Sequence, residues 1–119
     1  MAVIRRTDAH PSLPELPTER SFEFLDLADQ AGTYAAAAIG ERPGCLELHL
    51  SVLRWGPKSA RALRQDLDWL KNLARERGKP SIIGHTIAPG LEVDHLWFRF
   101  ARAYGFTSQH VHQTAELTL

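Results

Sequence analysis

Three observations in the 119-residue sequence predict an α/β sandwich, a mixed sheet covered by helices. Leu46, Leu48, Leu50 and Val52 alternate with Glu47, His49 and Ser51, the two-residue period of a strand with one apolar face. From Pro57 the period changes, and Ala60, Leu63, Leu67, Leu70 and Ala74 recur at spacings of three and four, as on one side of a helix. The run SIIGHTIA then returns to strand composition, so a strand–helix–strand unit occupies the middle of the chain.

Taken in order, the first residues, MAVIRRTDAH, carry two arginines with no apolar stretch behind them. Nowhere do roughly 18 apolar residues run together, so neither a signal peptide nor a membrane span is expected. Pro11, Pro14 and Pro17 mark a proline-rich arm over about residues 9–20. Each proline removes an amide donor and biases its predecessor to extended geometry, so the arm is read as a surface segment of polyproline character. SFEFLDL alternates Phe22 and Phe24 with polar residues and predicts a strand. TYAAAAIG predicts another over residues 34–39, too short for an isolated helix despite its alanines. GERPG is a turn signal, which makes residues 34–39 and 46–53 an antiparallel hairpin.

A helix follows over residues 57–77, with Pro57 suited to its first turn and Gly78 to the position just past its end. The strand at 82–87 should run parallel to 46–52, joined to it by a right-handed crossover. A second helix spans residues 94–104 with Trp97, Phe100, Ala101 and Tyr104 on one side, and Gly105 stops it. The tail, FTSQHVHQTAELTL, supplies one strand or two short ones. A single domain, residues 1–119, is expected from the length.

Lys plus Arg equals Asp plus Glu, 14 against 14, so no overall basic field would draw in nucleic acid, and any anion site must be local. One cysteine, Cys45, excludes an internal disulfide and is read as a buried structural thiol. It lacks a nucleophile motif, while Ser59 and Ser81 sit where capping and turn roles suffice. His110 and His112 share a strand face, but a third ligand such as His85 or Glu116 would have to come from the fold and no HExxH or cysteine pair accompanies them, so surface histidines and no metal are expected. What remains is RWGPKSAR, where one glycine and several cations, Arg54, Gly56, Lys58, Ser59 and Arg61, sit at a strand-to-helix junction. Such junctions attract anions.

Element order, together with a helix closing in FARAYGF, resembles the coenzyme-A-binding half of the Gcn5-related N-acetyltransferase (GNAT) superfamily over about residues 34–106. The resemblance implies one GNAT-like domain: a mixed twisted sheet with an N-terminal hairpin, a βαβ crossover and a short closing helix. It also implies an acyl-CoA pyrophosphate corner at Arg54, Gly56, Lys58, Ser59 and Arg61. Residue by residue the chain departs from the family. Anchored on Leu63, the phosphate loop places Trp55 on the family's basic residue and Lys58 on its first glycine, with only Ala60 matching; Pro57 removes an amide. Phe100, Gly105 and Phe106 match the last helix, but Ala101 stands where the family has its acid tyrosine and Asp94 where it has asparagine. Tyr104, almost a turn away, is read as packing.

This degenerate pattern is similar to the small GNAT-like proteins of bacteriophages, including internal virion proteins of short-tailed lytic phages. That likeness implies a noncatalytic protein without a cofactor, working by contacts with a virion or host protein, in the virion or the host cytoplasm. The alternative is an acyl-CoA-dependent N-acetyltransferase that binds acetyl-CoA at a degenerate loop and takes its acid and base from water, His49 or Glu47. On the noncatalytic reading the RWGPKSAR corner mainly hands a strand to a helix and binds coenzyme A weakly or not at all.

Overall fold

A computed structural model describes residues 3–7, 22–85, 95–111 and 115–119. The chain divides into two units, Met1–His85 and Thr86–Leu119. The proline-rich arm lies outside the described residues.

In the first unit five strands form one sheet in sequence order: β1 (Val3–Thr7), β2 (Glu23–Asp29), β3 (Gly32–Arg42), β4 (Cys45–Val52) and β5 (Ile82–His85). The first four make an antiparallel meander. The long helix α1 (Pro57–Glu76) then carries the chain back, so that β5 lies parallel to β4, from Leu46 opposite Ile82 to His49 opposite His85. The mixed α/β sheet, the hairpin and the βαβ crossover are therefore those the sequence predicts. The second unit contains the short helix α2 (His95–Ala103).

Register sorts the sheet's side chains into two faces. On one, Leu25 lies level with Ala37 and Leu50, and Leu27 with Ala35 and Val52. This face carries α1: Ser59 at its start reaches Asp29, Asp66 in its middle meets Tyr34, and Arg77 beyond its end binds Glu23 at 2.9 Å. Tyr34 is the extra residue of a β-bulge, where pairing passes from Leu27–Ala35 to Ala28–Thr33. A bulge re-aims a side chain, and here the buried phenol donates to the Asp66 carboxylate on α1. Leu63, Leu67, Leu70 and Ala74 are buried on the helix stripe, as their spacing predicts. Ser59 and Asp66 are buried with them, which an apolar periodicity cannot register.

Several expectations need correction. β1 was not anticipated: five residues with two adjacent arginines make a weak strand signal, and pairing with β2 supplies what local pattern lacks. Phe22 and Phe24 are only half-buried; Leu25 and Leu27 supply the core of β2. β3 runs from Gly32 to Arg42, longer than residues 34–39, because Gly40, Glu41 and Arg42 continue the ladder and the turn narrows to Pro43 and Gly44. The polar side of β4 is not a solvent face, since Glu47 is buried, as are Ala36 and Ala38 across the ladder. Residues 106–111 and 115–119 form no strand, against the expected closing one. Instead the Gln109 side chain bonds to the Phe98 carbonyl at 2.9 Å, folding the tail back on α2. Phe100 and Tyr104 meet with ring centroids 5.1 Å apart and planes tilted by 47°, but both are half-buried, so their stripe is less of a core than its spacing suggests.

Turn chemistry yields a paired prediction. Gly44 has φ 81° beside Pro43, the arrangement of a type II turn, and a side chain there is strained. Gly56 has φ 179°, ordinary extended backbone, and a Cβ on it meets nothing within 4 Å. Gly44→Ala is expected to cost roughly 1–2 kcal/mol, and Gly56→Ala less than about 0.5 kcal/mol. Urea denaturation of the two variants measures both.

Candidate functional site

The strand-to-helix corner is built around Asp29. At the end of β4 the Leu53 and Arg54 amides both donate to the Tyr34 carbonyl, at 2.8 and 3.1 Å, which turns the chain toward α1. The Arg54 guanidinium then swings back over the β2–β3 turn, donating to Asp29 Oδ1 at 2.6 Å and to the Gly32 carbonyl at 3.1 Å. The Ala31 amide donates to the same Oδ1 at 2.8 Å, and Ser59 Oγ donates to Oδ2 at 3.3 Å. The Arg54 hydrogen bond, helped by those of Ala31 and Ser59, holds the Asp29 carboxyl below the usual carboxylate range.

The five predicted anion-site residues thus separate. Arg54 and Ser59 serve Asp29, and Ser59 is buried. Gly56 caps α1 without side-chain help, its carbonyl taking the Ala60 amide at 2.9 Å. Pro57 follows at the first helical position. Lys58 and Arg61 are exposed on the first turns of α1. Arg54 is exposed as well, but its guanidinium is engaged by Asp29.

A second group of polar side chains lies on the other face of the sheet. Alternation along β4 puts Glu47 and His49 on this side, and the parallel register places His85 of β5 directly beside His49. His49 Nε2 donates to Glu47 Oε1 at 3.1 Å, and His85 Nε2 lies 3.5 Å from the same oxygen. The imidazoles stack with centroids 5.4 Å apart and planes 16° from parallel, while Phe22 meets His49 edge-on at 5.5 Å. On β3 the residues opposite are small, Gly40 beside Glu47 and Ala38 beside His49. A carboxylate beside two imidazoles is chemically a proton acceptor with ring nitrogens in reach that can donate or accept. Glu47 and His49 were legible from β4 alone. The place of His85 beside them was not legible, because only the crossover brings position 85 next to position 49. Among the described residues no group of His, Cys, Asp and Glu is arranged to hold a metal ion. His110 is exposed, and His112 lies outside the described residues.

Sequence comparison matches no family model and no curated protein. Solved structures do match. The aminoglycoside N-acetyltransferase AAC(6')-Iy in complex with CoA aligns over 100% of this chain and 96% of its own, with a TM-score of 0.64 at 11% identity. The fold is that of the GNAT acetyltransferases. An acetyltransferase of Trypanosoma brucei aligns over 98% of this chain and 100% of its own, with a TM-score of 0.57 at 13% identity. YycN of Bacillus subtilis, assigned as an acetyltransferase, matches 82% of this chain with a TM-score of 0.52 at 16% identity. The present chain spans 63% of that protein's length. Ala101, where the sequence resemblance puts the family's tyrosine, is buried on α2. None of these relatives is a virion protein.

Proposed function

We propose that the protein is an acyl-CoA-dependent N-acyltransferase of primary amines, with acetyl-CoA as donor and Glu47 as base. The observation that carries this reading is the buried Glu47 carboxylate, bonded by His49 on the strand that leads into the corner. A primary amine is protonated near neutral pH and must lose a proton before it can attack a thioester. Glu47 takes that proton; the C–N bond then forms as the C–S bond breaks, and the second amine proton passes to the departing thiolate. Ala101 cannot donate there, so water or the amine itself supplies this proton. Lys58 and Arg61, with the start of α1, supply the charge that holds the cofactor's phosphates. CoA appears in a solved complex of one relative, and sisomicin in a complex of another, an aminoglycoside acetyltransferase from an uncultured soil sample.

Calorimetric titration with acetyl-CoA, followed by thiol release with a panel of polyamines, aminoglycosides and short primary amines, tests the proposal. Binding that weakens as salt rises is expected, because exposed cations are screened within about 10 Å at 0.1 M ionic strength. A second reading has one observation in its favour. Arg54 and Ser59 are tied to Asp29 and Pro57 has no amide, so the corner offers less to a pyrophosphate than a glycine-rich loop does. On that reading the protein is noncatalytic and binds a virion or host protein. Absence of both acetyl-CoA binding and thiol release would select it.

A further inference from the structure

We propose that His85 carries the proton released in acyl transfer from Glu47 to solvent, an assignment that rests on the acyltransferase reading above. Acylating an ammonium with a thioester yields an amide, a thiol and one free proton, so a base buried in the sheet must be emptied once per turnover. Side-chain exposure is graded across the cluster: 6% at Glu47, 19% at His49 and 36% at His85. The two imidazoles share the same carboxylate oxygen but differ in surroundings. His49 is packed edge-on by Phe22 and donates to Glu47 at 3.1 Å, which fixes the carboxylate. His85 lies on β5, farther out, with Nε2 3.5 Å from Oε1, so a closure of a few tenths of an ångström brings it into hydrogen-bond range. An imidazole can take a proton on one ring nitrogen while releasing another from the second. His85 therefore accepts at Nε2 from Glu47, releases to water at Nδ1, and returns to the neutral form as the tautomers re-equilibrate.

Other ionisable groups on this face, by register, include Asp26 of β2 and, at the hairpin end, Arg42 of β3 opposite buried Cys45 of β4. Asp26 of β2 lies two strands from β4, level with Ala36 and Ser51, and Ile83 precedes His85 on β5. Neither bridges Glu47 to water. His85 is a positioning residue in the sense that it acts through Glu47 and touches no substrate.

The test uses the 119-residue chain, acetyl-CoA and whichever amine in the panel turns over fastest. His85→Gln retains a polar side chain but cannot relay a proton, and His85→Ala opens space for a free imidazole. Both are expected to lose roughly tenfold or more in kcat with KM for the amine unchanged. Added imidazole should restore His85→Ala in a concentration-dependent way that sodium chloride at equal ionic strength does not reproduce. A His85→Gln protein with wild-type kcat, or a slow His85→Ala protein indifferent to imidazole, overturns the assignment while leaving the acyltransferase standing. A wild-type protein that acetylates no amine overturns both.

Discussion

Glu47→Gln is expected to lower the rate of amine acetylation by roughly 100- to 1,000-fold while leaving acetyl-CoA affinity unchanged. The substitution keeps the shape of the side chain and an oxygen that can still accept from His49 Nε2, now 3.1 Å from Oε1. What it removes is the ability to take a proton from the attacking ammonium. Because a buried carboxylate is costly to desolvate, its neutral isostere should leave the melting temperature equal to or above that of the wild type. Steady-state thiol release, calorimetry with acetyl-CoA and a thermal melt together check the three parts. A variant as fast as the wild type would remove Glu47 from the chemistry, whatever the fold. A loss of activity accompanied by a fall in melting temperature would instead mark the carboxylate as structural.

The second large effect concerns stability and pH. Burial of Asp66 against the sheet pushes its carboxyl up to about 6, while the hydrogen bond from the Tyr34 hydroxyl pulls the other way. An unfolded aspartate titrates near 3.9. The native state thus holds a proton that the unfolded chain has already released, and the contribution of this group to stability is fully present below about pH 4 and is lost as pH rises through about 6. The gap corresponds to an order of 2–3 kcal/mol. Asp66→Asn removes the titration, so the difference in unfolding free energy between wild type and variant should change by that order from pH 4 to pH 7, in the variant's favour at the upper end. Taking differences cancels the histidines, which titrate in both proteins.

Tyr34→Phe acts on the same pair from the other side. It removes the donor that favours the carboxylate, so the transition should move to higher pH, and at pH 7 the loss should be roughly 1.5–3 kcal/mol. Urea denaturation at intervals between pH 4 and pH 8 follows both variants. Parallel stability curves for wild type and Asp66→Asn would show that Asp66 is not buried as described.

Periodicity alone determined most of the fold. The two-residue alternation of residues 46–52, the switch of period at Pro57 and the return to strand composition after Gly78 were each visible in the chain. These local patterns specify a strand, a helix and a strand, and the right-handed crossover rule makes the two strands parallel. The start and stop of α1 were legible too, because proline and glycine act through their own backbone geometry: Gly78 has φ 69° and follows Arg77, where the helix ends. The cations of the corner could be counted, but not their partners. Arg54 faces Asp29, 25 residues away, at 2.6 Å, a pairing that exists only once the β2–β3 turn and the end of β4 lie side by side.

The tertiary structure decided which polar residues are inside. A pattern of apolar residues assigns Glu47, Ser59 and Asp66 to solvent, yet a central strand and a covering helix bury all three, and each then acquires a hydrogen-bond partner. Tyr34 reaches Asp66 through a β-bulge, and bulges depend on the register of two strands rather than on either alone. The candidate catalytic group follows the same logic. Glu47 and His49 are two residues apart on one strand, but His85 joins them only because twenty residues of helix return the chain to the neighbouring position. Sequence spacing carries information about a single element's faces, whereas the meeting of residues 47, 49 and 85 is a property of how elements pack.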